Sequence, residues 1–296
     1  EAHAIRALCY FDMVRLWENI PLLDTPTTDN IAQAAPDEVY RLIISDLKYA
    51  AENIPANAYP KAQAASNDGH ITKYAAEALL ARVYLFYSGY YGKEPADLTK
   101  AEALAAVEDV IASEEFDLVK EFKNLWPAAS VTWTANADGS YTKTDTYAGR
   151  GNVETVLAQK FNYTSDYNGN ADGNRWQVMI APRNLITVPY GQGWGACTVS
   201  PKLVNSYQSG DTRAAASIID YTSEGIANFS LLYNDQREYT GYGIKKYAPL
   251  AIWQQADDGT WSEVNEVMGK EIGAGEYQIS QYQDFVVVRY SDVLLM

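Results

Sequence analysis

The sequence predicts a mostly α-helical protein, in which tetratricopeptide-like helix pairs form a scaffold that carries long loop and hairpin insertions. Apolar residues recur at helical spacing in four segments of the first 115 residues. Tyr40 and Tyr74 stand 34 positions apart, which is the period of a tetratricopeptide repeat. Beyond Trp126 the helical pattern gives way to Asn, Gly, Thr and aromatic residues. We therefore expect a scaffold over residues 1–125 and a loop-rich region over residues 126–296, packed on it as one domain.

The first two helices are predicted from their apolar stripes and their ends. Glu1 to Trp17 carries one stripe, and the helix ends before Pro21 because proline interrupts helical hydrogen bonding. Pro36 suits the first turn of the next helix, and the two acidic residues after it favour a helix N-terminus. The apolar stripe of this second helix continues to about Asn53.

A central helix is predicted from Ile71 to Tyr91. Thr72 is a suitable N-terminal cap, and glycines near the other end provide the stop. On a helical wheel, only Lys73 and Glu77 form a solvent stripe, so other elements must cover most of this helix.

Arg82 lies on the apolar side of the central helix, where an unpaired charge is unfavourable. We therefore expect this side chain to be largely buried and paired with a carboxylate from a neighbouring helix. A fourth helix is predicted from Leu98 to Ser113, since its apolar residues also recur at helical spacing.

The second half of the chain is predicted to contain short elements. Two hairpins are expected where short strand-like runs flank an Asp-Gly turn: Val131–Trp133 with Tyr141–Lys143, and Ile252–Trp253 with Thr260–Trp261. Helical segments are expected at Pro201–Gln208 and after Arg289.

Charge and composition exclude some function classes. The chain has 23 basic and 38 acidic residues, a net charge of -15, which argues against electrostatic binding of nucleic acid or an anionic membrane. No apolar run reaches the length of a membrane-spanning helix. Cys9 and Cys197 lie in unrelated contexts, so two small buried apolar residues are expected rather than a disulfide or a metal site. No cofactor is expected.

Several segments of the chain match, in order, the motifs of a single protein family. The helical segments that match are EAHAIRALCYFDMVRLWENIPLL, PDEVYRLIISDLKYAAENIP, ITKYAAEALLARVYLFYSGYY and AEALAAVEDVIAS. Shorter matches follow at Asn152–Glu154, Ser200–Pro201 with Asp211–Arg213, Gly241–Tyr242 with Lys246–Tyr247, and Arg289–Met296. In this order the segments resemble the SusD/RagB family of cell-surface glycan-binding lipoproteins. The pattern of that family has Gly-Asp where this chain has Glu18-Asn19.

This resemblance implies a SusD-like helical fold and a protein that binds an oligosaccharide or polysaccharide without turnover. It also implies delivery of the ligand to a TonB-dependent transporter of the SusC type, and an outer-membrane, cell-surface location through an N-terminal lipid. Family members continue on both sides of this sequence, so we expect an internal fragment in which the anchor is absent. The sugar-contacting residues of the family lie outside the matching motifs and are not transferred by position.

Two stretches contain the residue types that hold neutral sugars, namely flat aromatic rings with amide or guanidinium groups. The candidate ligand-binding residues are Trp194, Trp176, Tyr190, Asn174, Arg175 and Gln192. Trp194 ranks first, because glycines on both sides free the backbone and remove neighbouring bulk. The structural alternative is equally strong: these tryptophans anchor long loops onto the helices.

Other readings remain open at this point. Residues 168–173 match the first half of a calcium loop, but Met179 stands where the bidentate Glu belongs, so a polar surface loop is the better reading. An all-α glycoside hydrolase would need two carboxylates brought together from anywhere in the chain. A tetratricopeptide-type scaffold that binds peptides is allowed by the helices alone.

Overall fold

The computed structural model describes residues 1–58, 69–161, 173–183, 185, 189–191, 193–226, 239–251, 253–255, 258, 261–263, 281 and 283–296. These residues form two compact units. Unit 1 comprises Glu1–Leu118, Gly151–Gln159 and Val286–Met296, and unit 2 comprises Val119–Arg150 and Lys160–Phe285. Most regular structure is helical, which confirms the predicted mostly α fold class.

Unit 1 is built on four long helices, whose predicted positions are confirmed to within about two residues. They are α1 (Ala2–Trp17), α2 (Pro36–Asn53), α3 (Lys73–Tyr91) and α4 (Lys100–Ala112). Each helix packs on the next along the chain, as helix pairs require. Two short strands, β1 (Ile20–Pro21) and β2 (Gln33–Ala34), pair between α1 and α2.

Helix α3 is central to the core of unit 1, because it packs on both α2 and α4. Its N-cap Thr72 accepts a hydrogen bond from the Ala75 backbone nitrogen, and Gly92 ends it with a positive φ of 66°. Both ends are therefore as predicted. The predicted solvent stripe is wrong in one respect: Glu77 is buried, because it faces α4, while Leu85 is exposed instead.

Arg82 agrees in part with its prediction. Its guanidinium donates to the Val287 carbonyl oxygen at 2.8 Å and lies 3.9 Å from Asp292 on a later helix. Asp292 is also bound by the backbone nitrogen of Arg289 at 2.8 Å. The carboxylate is thus shared, and the closest partner of Arg82 is a backbone carbonyl, which sequence pattern does not reveal.

Later segments complete unit 1. Strand β5 (Thr155–Gln159) pairs with β10 (Phe285–Arg289), which leads directly into a helix at Tyr290–Leu295, as predicted after Arg289. The expectation of two buried cysteines is wrong for Cys9, which is exposed on α1, whereas Cys197 in unit 2 is partly buried.

The described part of unit 2 consists of short elements. Its helices are a 3-10 turn (Phe122–Leu125), α5 (Pro127–Ser130), α6 (Arg175–Ile180), α7 (Pro201–Val204) and α8 (Thr212–Ser217); the final helix of unit 1 is then α9. Strand β3 (Val131–Ala135) pairs with β4 (Tyr141–Asp145), and β8 (Trp253–Gln255) with β9 (Trp261–Glu263). Both predicted hairpins are therefore confirmed. Helix α7 is shorter than predicted, and β6 (Ile218–Asp220) with β7 (Tyr242–Ile244) was not expected.

Candidate functional site

Helix α6 holds three of the predicted site residues at or near its start. Asn174 is its N-cap: the side-chain oxygen accepts from the Gln177 backbone nitrogen at 3.1 Å. The amide nitrogen of Asn174 donates to the Gln283 carbonyl oxygen at 2.6 Å. Asn174 is 0% exposed, so its contacts favour a structural role, and ligand contact by this residue stays a prediction that its burial does not favour.

Trp176 lies on the outer side of α6 and is 54% exposed. Its indole stacks on the ring of Phe285, with centroids 6.4 Å apart and planes inclined by 28°. An aromatic ring backed in this way on one side is well suited to receive a flat apolar surface on the other.

The glycine-rich loop that contains Trp194 is tied to the end of α6 by backbone hydrogen bonds. Trp194 donates to the Val178 carbonyl at 2.8 Å, and Gly195 donates to the Ala181 carbonyl at 2.8 Å. A Cβ atom on Gly193 would lie 2.4 Å from the Val178 oxygen. Position 193 therefore requires glycine because two backbone segments approach closely there.

Trp194 itself is partly buried, and the Arg175 guanidinium lies 5.8 Å from its ring centroid. This distance is typical of a cation–π contact. Arg183 donates to the Trp194 carbonyl oxygen at 3.1 Å. One face of Trp194 is thus partly occupied, which makes Trp176 the more accessible of the two indoles.

Tyr190 is buried in the core of unit 2, at 3% exposed. Its hydroxyl donates to Glu224 at 2.5 Å, and the Lys245 ammonium donates to the same carboxylate at 2.8 Å. Burial, followed by the nearby Glu224 charge, raises the pKa of Tyr190 well above its ordinary value. These contacts give Tyr190 a structural role and do not favour the prediction that it contacts a ligand.

The structure thus brings Arg175, Trp176 and Trp194 together at α6. Gln192 and the calcium-loop residues 168–172 lie outside the described residues, so those predictions stay predictions. Sequence reasoning missed Phe285, which backs Trp176 from a strand more than 100 positions away. No short-range signal connects two such residues, because only the tertiary fold brings them together.

A small cavity in unit 1 offers a weaker candidate site. It has a volume of about 100 Å³ between α2 and the segment after α3. Asp37 at its edge already accepts from the Lys93 ammonium at 2.8 Å and the Tyr87 hydroxyl at 2.6 Å. Ligand pockets usually measure about 300 to 1,000 Å³, so this cavity is too small for an oligosaccharide.

Two carboxyl groups in unit 1, those of Glu77 and Asp109, contact the same Lys73 ammonium. Burial, followed by a hydrogen bond to Asp109, raises the pKa of Glu77 to about 8. The Lys73 ammonium lies 3.3 Å from the Glu77 carboxyl group and also contacts the Asp109 carboxylate. Glycosidases hold their carboxyl groups about 5 Å or more apart, with the sugar between them. Here Lys73 lies between the two carboxyl groups instead, so this set of charges joins α3 to α4.

Within the part of the chain that the structure describes, no helix combines the length and apolar character required to cross a bilayer. The same described residues contain no cluster of three or more His, Cys, Asp or Glu side chains placed to hold a metal ion.

Comparison with known proteins gives consistent matches. A family model described as "Starch-binding associating with outer membrane" matches residues 1–85. The chain is 28% identical to SusD-like protein P2 of Formosa agariphila, over 100% of this chain and 50% of that protein. The chain thus spans about half the length of this curated relative.

Solved structures share the fold over the whole chain. A laminarin binding SusD-like protein has a TM-score of 0.70 and 25% identity, over 100% of this chain and 57% of the other. Surface glycan-binding protein A from Bacteroides thetaiotaomicron, in complex with laminarihexaose, has a TM-score of 0.66 and 17% identity, over 99% of this chain and 55% of the other. These matches, and the helical pattern that they share, support the predicted resemblance of the chain to the SusD/RagB family.

Proposed function

We propose that this protein binds oligosaccharides or polysaccharides at a surface centred on helix α6. The observation that carries the proposal is the indole of Trp176, which is 54% exposed and backed by Phe285. A flat apolar ring covers the C–H face of a sugar, while guanidinium groups such as that of Arg175 donate to hydroxyls. Trp194 completes the surface as a second, less exposed ring.

We further propose the wider role that resemblance to the SusD/RagB family suggests. The full-length protein acts at the outer-membrane cell surface, held by an N-terminal lipid, and passes its ligand to a SusC-like TonB-dependent transporter. It binds its ligand without turnover, a proposal supported by the similarity to SusD-like surface glycan-binding proteins. The laminarin binder at 25% identity makes laminarin the first ligand to test.

Alanine substitution of Trp176 in the full-length protein tests the proposed site. Receptor binding of this kind is expected at Kd values of about 1 μM to 1 mM, so the loss of one aromatic platform removes most of the affinity. We expect Trp176→Ala to abolish measurable binding of laminarin, and Trp194→Ala to weaken it, with little change in melting temperature for Trp176→Ala.

Trp17→Ala is the matched control, because Trp17 is 64% exposed but lies on α1 of unit 1. A panel with laminarin and xyloglucan oligosaccharides, read by calorimetry, compares the three variants. Normal binding by Trp176→Ala would place the site elsewhere. Sustained release of new reducing ends from a bound glycan would instead favour the alternative function of a glycoside hydrolase.

A further inference from the structure

Trp176 is the exposed end of a row of aromatic rings that continues into the interior of unit 2. Its ring stacks on Phe285, and Phe285 stacks on Tyr247 with centroids 5.8 Å apart and planes inclined by 24°. Tyr247 then meets the edge of Trp126 at 5.5 Å. Exposure decreases from 54% at Trp176 to 5% at Trp126, so the row is anchored at its buried end.

Buried amide groups join the chain segments that carry Trp176, Phe285 and Tyr247. Gln283 is the hub: its carbonyl oxygen accepts from Asn174, and its side-chain oxygen accepts from the Gln177 amide at 3.2 Å. The Gln283 amide nitrogen donates to the Lys246 carbonyl oxygen at 3.0 Å. Each bond lies within three residues of a ring in the row. Because Asn174, Gln177 and Gln283 are at most 4% exposed, these bonds are shielded from competition by water.

An ion cluster fixes the backbone immediately before Phe285. Asp284 is 4% exposed and accepts from the Arg150 guanidinium at 3.0 Å and from the Lys160 ammonium at 2.6 Å. A buried carboxylate with two cationic partners has little freedom to rotate. The direction in which the next side chain leaves the strand is therefore set before any ligand is present.

We propose that Phe285 and Tyr247 are positioning residues, which hold the indole of Trp176 in the orientation that receives a sugar; this inference rests on the proposed function. A solvent-exposed indole on a short helix otherwise samples several rotamers, and ordering it on binding lowers the affinity. The row restricts the Trp176 side chain before the ligand binds, because Phe285 packs against one face of the indole. Less side-chain freedom is therefore lost on binding. Phe285 acts through Trp176 and does not contact the sugar.

Paired substitutions at Phe285 in the full-length protein test this inference. Phe285→Leu keeps an apolar side chain but removes the flat face, whereas Phe285→Tyr keeps the ring and is the matched control. Acrylamide quenching reports the accessibility of Trp176, whose signal is obtained by subtracting the Trp176→Phe spectrum in each background. We expect Phe285→Leu to increase quenching of Trp176 and to weaken laminarin binding about fivefold, the effect of freeing one side chain. Phe285→Tyr should change neither.

The outcomes separate failure of the positioning role from failure of the site. Laminarin binding that Trp176→Ala abolishes but Phe285→Leu leaves unchanged overturns the positioning role alone. Unchanged quenching in Phe285→Leu also overturns it, whatever the affinity. If neither laminarin nor xyloglucan oligosaccharides bind the unmodified protein, or if binding is insensitive to Trp176→Ala, the proposed function fails and the inference with it.

Discussion

The helices of unit 1 and the surroundings of α6 in unit 2 achieve fixed geometry in different ways. Unit 1 packs apolar residues of four long helices into one continuous core. Around α6 the elements are at most six residues long. Buried amide and charged side chains hold them in position, notably those of Asn174, Gln177, Gln283 and Asp284. A short helix buries too little apolar surface to fix its own position, so directional hydrogen bonds must do so. Long elements thus tolerate small changes that short, hydrogen-bonded ones do not.

The largest expected difference concerns a single methyl group added to a glycine in each unit. In Gly193→Ala the new Cβ would lie 2.4 Å from the Val178 oxygen and 2.5 Å from the Ala181 Cβ, both on the short chain segment at α6. Because backbone atoms cannot move aside cheaply, we expect a loss of about 3 kcal/mol in unfolding free energy. Chemical denaturation measures this change.

Gly89→Ala on α3 is the contrasting variant, since nothing lies within 4 Å of its added Cβ. It should stabilise the protein by about 0.5 to 1 kcal/mol through helix propensity. Equal effects of the two substitutions would contradict the contrast between the units.

A smaller difference is expected between two helix caps. Asn174→Ala removes the cap of α6 and the buried bond to Gln283, so we expect a loss of about 2 to 3 kcal/mol. Thr99→Ala removes the more exposed cap of α4, where Thr99 accepts from the Glu102 nitrogen, and should cost about 1 kcal/mol. Thermal unfolding of both variants checks the order. A larger loss for Thr99→Ala would show that the amide bonds around α6 contribute little.

The last expected effect is a pH dependence in unit 1. The folded pKa of Glu77 is raised to about 8 from an ordinary 4.5, mainly by burial, so the folded state keeps a proton that the unfolded state releases. The stabilisation from neutral Glu77 is complete below about pH 4.5 and is lost as pH rises towards 8. Glu77→Gln should remove this decline, giving a higher melting temperature than the parent at pH 9 and little difference at pH 5.

Glu108→Gln, at an exposed position of the neighbouring helix α4, is the control for the change in net charge. If the Glu77→Gln and parent melting curves keep the same separation at both pH values, Glu77 does not titrate as its burial requires.

The long helices and their ends were predictable because their signals are local. Apolar periodicity, the Thr72 cap and the glycine stop at Gly92 act within a few residues of each other, so α1 to α4 lie where the pattern places them. Both hairpins follow from an Asp-Gly turn between two strand-like runs for the same reason. The ordered series of weak motifs also sufficed to indicate the family.

The orientation of side chains at the site was decided by tertiary structure. Sequence pattern placed Asn174 and Tyr190 among the ligand candidates, whereas partners 109 and 34 positions away hold both in the interior. The sequence pattern also predicted that Glu77 is exposed to solvent, whereas α4 covers it. Composition shows that aromatic and amide groups are present, but burial and ring stacking depend on contacts between distant segments. Only those contacts determine that Trp176 faces outward with Phe285 behind it.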